Sequence, residues 1–235
     1  SSMVKETRED GTVIETVALT DDVMQQLLKL LETASSPHVT IRIDDSERAV
    51  QVQFPASSLG SVMESFPDAV FEVRLNVSSF QLQVNVLDLK GLAEQLGVDP
   101  EQMQVHVVME QVTGAEKEQL EQVAGKQGLK LVGQAVAYML AVSAGGQTIE
   151  IKDFGGTYMV RTIVLGEAAP GTHLIAVLYD PVGQTFSFIP AVLATGSEDR
   201  QEMSMKVPHN SIYAVMEAGN KSFADLAGHW AQRDA

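Results

Sequence analysis

Cysteine is absent from the 235 residues, which excludes disulfides, thiol nucleophiles and thiolate metal sites and leaves redox compartment unmarked. Positive charge is scarce: 16 Lys+Arg stand against 31 Asp+Glu, a formal net charge of −15. Such a field repels phosphate backbones and anionic lipid head groups, which argues against nucleic-acid and membrane partners. Its plainest consequence is solubility, and cation collection is a lesser one. Aromatic residues make up only 6%, with a single tryptophan, Trp230. No run approaches the roughly 18 apolar residues needed to span a bilayer. Ser1-Ser2-Met3 has no apolar stretch of a signal peptide, so an exported protein is expected to have had its signal removed or left out. The G-x-S-x-G, H-E-x-x-H, P-loop and G-x-G-x-x-G signatures are missing. His38, His106, His173, His209 and His229 never pair at i,i+3 or i,i+4 spacing, so no helical metal site is signalled.

What is present is ordinary globular composition, 45% hydrophobic and 20% charged, enough for a packed core. Val13–Ala18 reads as a strand. Thr20-Asp21-Asp22 caps a helix over Val23–Leu31, where Val23, Leu27, Leu28 and Leu31 fall at helical spacing. Val39, Ile41 and Ile43 alternate before a polar turn, and Val50, Val52 and Phe54 alternate after it, which predicts a hairpin. A helix over Ala56–Ser65 follows. A second hairpin has strands at Ala69–Val77 and Phe80–Val86, and an Asp88-capped helix covers Leu89–Leu96. The order β-β-α thus occurs twice with a period of about 30 residues, a modest duplication signal. Met103–Val112 reads as a strand and Ala115–Ala124 as a helix stopped by Gly125 and Gly128.

Beyond Gly128, strand-like runs at 132–143, 148–152, 158–165, 174–179, 185–189, 201–207 and 212–216 are separated by Gly- and Pro-rich turns, with almost no helix between them. The expected class is α+β: a β-β-α-type hairpin and helix region followed by a mostly antiparallel, β-sandwich-like region. The expected organisation is an N-terminal strand and helix at 1–36, an α+β region at 37–128, an antiparallel β region at 129–219, and a separate segment at 220–235. The halves flanking Gly128 are equally compatible with one shared core.

That last segment carries the most specific pattern: Phe223, Asp225, Gly228, His229, Trp230 and Ala231 in the spacing F-x-D-x-x-G-H-W-A. It resembles the opening of an S-layer homology repeat, in which Asp225 would cap the entry to the first helix and Phe223 and Trp230 would anchor its core. The likeness covers 13 residues and stops before the basic T-R-A-E-like motif with which that family grips cell-wall polysaccharide. These residues are therefore expected to pack rather than to bind. Asp153–Ile163, Tyr179–Pro190 and Asn210–Val215 resemble, more loosely, modules that precede such repeats in surface proteins of Gram-positive bacteria. The resemblance implies a secreted, non-catalytic structural or display module at the cell wall. Its partners would be wall polysaccharide, through repeats outside this chain, and other surface-layer subunits.

The remaining chemistry-bearing residues have plainer readings. Asp44, Asp45 and Glu47, and Glu198 and Asp199, sit at predicted turns without EF-hand spacing, so turn solvation outweighs calcium binding and no cofactor is expected. Apart from Met3, the ten methionines are scattered through predicted elements as core filler. His209-Asn210-Ser211 reads as a turn rather than a self-cleaving site, and no Lys–Asn isopeptide pair is identifiable. Two competing functions are a carbohydrate-binding or adhesive module, with Tyr138 and Tyr179 as candidates near a sheet surface, and, less favoured, an extracellular hydrolase.

Overall fold

The structure, a computed structural model, describes residues 2–44, 46–165, 173–196 and 200–219. Among the described residues there are fifteen strands and four α-helices, all four helices preceding β8. In chain order they are β1 (Ser2–Thr7), β2 (Val13–Ala18), α1 (Asp21–Thr33), β3 (His38–Arg42), β4 (Ala49–Pro55), α2 (Ala56–Ser65), β5 (Val70–Arg74), β6 (Ser78–Gln83), α3 (Leu89–Leu96), β7 (Gln104–Gln111) and α4 (Gly114–Lys126). Then come β8 (Leu129–Ala144), β9 (Gln147–Glu150), β10 (Met159–Val164), β11 (His173–Asp180), β12 (Thr185–Ile189), β13 (Ala191–Thr195), β14 (Gln201–Val207) and β15 (Ile212–Ala218). The chain is thus of mixed class and rich in strand. No helix among the described residues is long and apolar enough to cross a membrane.

Local chemistry accounts for the helix ends. The Thr20 hydroxyl accepts from the Val23 amide, and the Asp88 carboxylate from the Gly91 amide at 2.9 Å, so each satisfies an otherwise orphaned first-turn donor. A side chain at Gly91 would collide with that carboxylate. Gly97 ends α3 in the left-handed conformation, φ 67°, at little steric cost because it lacks a Cβ.

The strands form two sheets. One runs β1-β2-β4-β7-β8-β15-β11-β12, with β9 added on β8; the other runs β13-β14-β10-β6-β5-β3. Among the described residues all pairings among β6 to β15 are antiparallel, and only β2/β4 and β3/β5 are parallel. The hairpin expected from β5 and β6 is present. The hairpin expected from β3 and β4 is not: both strands exist, but they lie in different sheets. β3 runs parallel to β5, and β4 lies between β2 and β7. Alternation specifies that one face of a strand is buried; it does not specify the neighbour. Here β3 and β4, consecutive in the chain, belong to different sheets.

The apolar faces of both sheets meet in one cluster. Val50, Val52, Phe54, Val105, Val107 and Leu140 come from the first sheet, and Phe71, Phe80, Leu82, Ile163, Met203 and Met205 from the second. Helices α1 to α3 add Met24, Leu31, Leu59, Val62, Leu92 and Leu96 to it. Strands from both sides of Gly128 therefore share both sheets and one core. On the opposite face of the first sheet, α4 packs Leu120, Val123 and Ala124 with Val177, Ala214 and Met216. Gly133, at φ 72° in the long β8, lies where its register with β15 shifts, and a side chain there would press on the Val164 carbonyl at 3.3 Å. The bulge depends on that glycine.

Candidate functional site

The three loosely familiar stretches converge. The turn after Asp153, the turn after Asp180 and the Pro208–Ser211 connection line one cleft of about 620 Å³, together with Lys152, Gly156, Leu178, Tyr179 and Pro181. Beneath them lies Arg161 of β10, fully buried between the sheets. Its guanidinium stacks 3.4 Å from the centroid of the Phe80 ring, with Tyr138 and Phe154 further out. Nη1 donates to the carbonyls of Gln81 and Val160, and Nη2 donates at 3.0 Å to Oδ1 of Asn210. Among the described residues no carboxylate pairs with it.

Burial pushes Arg161 down to about 9, still above neutral pH, so the cation persists. Carbonyl dipoles and the negative face of an aromatic ring stabilise it without desolvating a second ion. Burial likewise pushes the phenols of Tyr138 and Tyr213 upward, so both stay neutral donors. Tyr138 donates to the Thr162 carbonyl and Tyr213 to that of His209.

Asn210 joins this centre to the cleft wall. Its Nδ2 donates to the Ile151 carbonyl at 2.8 Å and its backbone amide to that of Lys152. Asp153 forms an isolated bridge with His209, whose ring stacks on Tyr213. The carboxylates of Asp153 and Asp180 accept the amides of Gly155 and Val182. Asp153, Asp180, Asn210 and the Arg161 Nη atoms are thus engaged in internal bonds, whereas the buried Tyr179 hydroxyl and Arg161 Nε have no hydrogen-bond partner among the described residues. An Asn210 whose amide nitrogen is held by a carbonyl is poorly placed to attack its own backbone.

A second polar cluster lies on the outer face of the second sheet. Arg74 is gripped by Glu72 and Glu202, and His38 donates to Glu72 at 3.2 Å. Burial alone would raise Glu72, but the nearby Ser79 hydroxyl, the hydrogen bond from His38 and the charge of Arg74 outweigh it and hold the carboxyl below its ordinary value.

The sequence candidates fall out unevenly. The repeat-like residues Phe223, Asp225, Gly228, His229, Trp230 and Ala231 lie outside the described residues, as do Asp45, Glu198 and Asp199. Asp44 and Glu47 pair with Arg42 and Lys5, which gives these turn carboxylates cations from the chain itself. Tyr138 and Tyr179 are buried, which corrects their placement near a sheet surface: at both positions the apolar side of the strand faces a packed layer. Phe188 and Tyr158 are instead exposed. Seven methionines are buried, as core filler should be. Sequence reasoning missed Arg161, whose only signal is a lone cation within the apolar alternation Met159 to Ile163. No protein-family model matches this chain, and no curated protein matches it either.

Proposed function

We propose that the chain is a non-catalytic structural or display module of a cell-wall-associated surface protein of the S-layer type, exported and adjacent to wall-anchoring repeats. The observation that carries this reading is the Arg161–Asn210 centre, which spends polar groups of two of the three familiar stretches on bracing the fold. Such bracing suits a β-sandwich-like spacer that must hold its shape outside the cell without disulfides. The terminal F-x-D-x-x-G-H-W-A pattern supplies the expected address.

The test is co-sedimentation with purified cell-wall fragments. This chain alone should stay in the supernatant, and a form extended through complete S-layer homology repeats should pellet. Pelleting of the short form would overturn the assignment. The cleft of about 620 Å³ beside Asp153 and Asp180 favours the second reading, carbohydrate binding, and hits for this chain on a glycan array would move that reading ahead.

A further inference from the structure

At one side of the molecule both sheets end on the same stretch of chain. β12 is the last strand of the first sheet, β13 is the first of the second, and Pro190 alone separates them. Among the described residues β13 has a single hydrogen-bonded neighbour, β14, so its far side offers unpaired N–H and C=O groups. Soluble proteins normally blunt such an edge with charges, bulges or a covering element. Here residues 181–197 contain no charged side chain, and all five residues of β13 are exposed.

Exposed apolar side chains concentrate in the same place: Phe188 at 68%, Val192 at 68% and Leu193 at 44%. Leu193 is paired with Met203, a core residue, so it faces the space between the sheets and yet remains open. Beside it lies a cavity of about 530 Å³ lined by Ile175, Phe188, Leu193 and Met203. The inter-sheet core is unfilled at this edge.

We propose that β13 is a self-association edge, through which two copies of the chain pair antiparallel about a two-fold axis at Leu193 and join their six-stranded sheets into one. The backbone calls for an extended strand as partner, and the charge distribution calls for a second copy. At a net charge of −15 two copies repel over most of their surface, but residues 181–197 place no charged side chain of their own between them. The strand also complements itself. Antiparallel pairing centred on Leu193 sets Val192 against Ala194 of the copy, and Leu193 against Leu193 on the side of the open cavity. This association stands apart from the wall-display reading and does not need it.

The experiment is sedimentation equilibrium of the full chain at concentrations from about 10 µM to 1 mM, a range chosen for a short-strand contact. The mass should rise from the 25.4 kDa of one chain toward twice that value. Val192→Lys with Ala194→Lys puts like charges opposite each other in the self-paired strand and should weaken association by about tenfold or more. Val192→Glu with Ala194→Glu should do the same, and mixing the two variants should restore dimers by placing each lysine opposite a glutamate. Amide hydrogen exchange on the unsubstituted chain, which needs no variant to fold, should show protection of 191–195 that grows with concentration. A chain that stays monomeric throughout, dimers insensitive to either substitution, a mixture that fails to associate, or concentration-independent exchange would each overturn the proposal. None of these outcomes bears on co-sedimentation with wall fragments.

Discussion

Two arginines of the second sheet sit on opposite faces and are held in opposite ways. Arg161 is registered against Phe80 of β6, and Arg74 against the adjacent Ser79. Arg74 points outward, keeps 19% of its side chain exposed and grips two carboxylates. Arg161 points inward, is fully buried and has carbonyls, an amide and a ring instead. On the outer face Arg74 keeps 19% of its side chain exposed and Glu72 and Glu202 keep 10% and 11%, so water still reaches the ions and screens part of their attraction. Between the sheets a second ion would have to be stripped of water as well. Neutral dipoles and a π face stabilise the cation there without that loss. The inward arginine therefore holds structure together, and the outward one decorates it.

The largest effect should come from Arg161→Met. It strands the acceptors of Gln81, Val160 and Asn210 in a dry interior, and a loss of about 3 kcal/mol or more is expected in urea unfolding. Arg161→Lys should recover less than half of it, because a compact ammonium cannot reproduce the fork of the guanidinium. A cost for Arg161→Met no larger than that for Arg74→Met would erase the contrast. Next in size is Asn210→Ala. It removes one partner of a buried cation and leaves the Ile151 carbonyl bare, for about 2 kcal/mol. The cost of combining it with Arg161→Met should fall well short of the sum, since the two share a bond.

Much of this architecture is legible in the sequence, and the misses have physical reasons. The four helices announce themselves through Thr20, Asp88, Gly97 and periodic leucines, because caps and amphipathic spacing are local. Strand positions are equally local, and Val13–Ala18, Thr185–Ile189 and Gln201–Val207 form at their expected bounds. Pairing is not local: β3 and β4 alternate like a hairpin and yet belong to different sheets, since alternation encodes burial of a face and nothing about neighbours. β1 and β13 escape notice because both are exposed on both faces, so no period marks them. Arg161 escapes because a lone charge in an apolar strand reads as a solvent-facing residue. The stacked Phe80 and the Asn210 amide that overturn that reading come from 81 residues upstream and 49 residues downstream.

A smaller effect should separate another buried base from Arg161. His106 of β7 shares a hydrogen bond with Ser143, and burial lowers its pKa from an ordinary 6.5. A depressed base binds fewer protons folded than unfolded, so the stability it permits is complete above pH 6.5 and declines as pH falls below that value. His106→Gln should cost about 1 kcal/mol at pH 7. The gap between variant and wild type should narrow toward pH 5, as read from paired urea titrations. A gap independent of pH would show that the ring is free to charge in place.

The smallest effect belongs to the outward cluster, where the sign of the pH dependence again follows from which form is stabilised. Glu72 is held below its ordinary 4.5, so the folded state carries fewer protons on it than the unfolded state does. Its contribution is present above pH 4.5 and fades as pH falls further. Arg74→Met and Glu72→Gln should each cost about 1 kcal/mol or less at pH 7, and less still in 1 M salt, because part of each charge meets water and is screened. The acid limb of the stability curve should flatten in Glu72→Gln, while Arg161→Met, whose missing partners are neutral, should leave that limb unchanged. If salt instead weakened the Arg161 centre as much as the Arg74 cluster, the inward cation would have to be wetter than its full burial between the sheets allows.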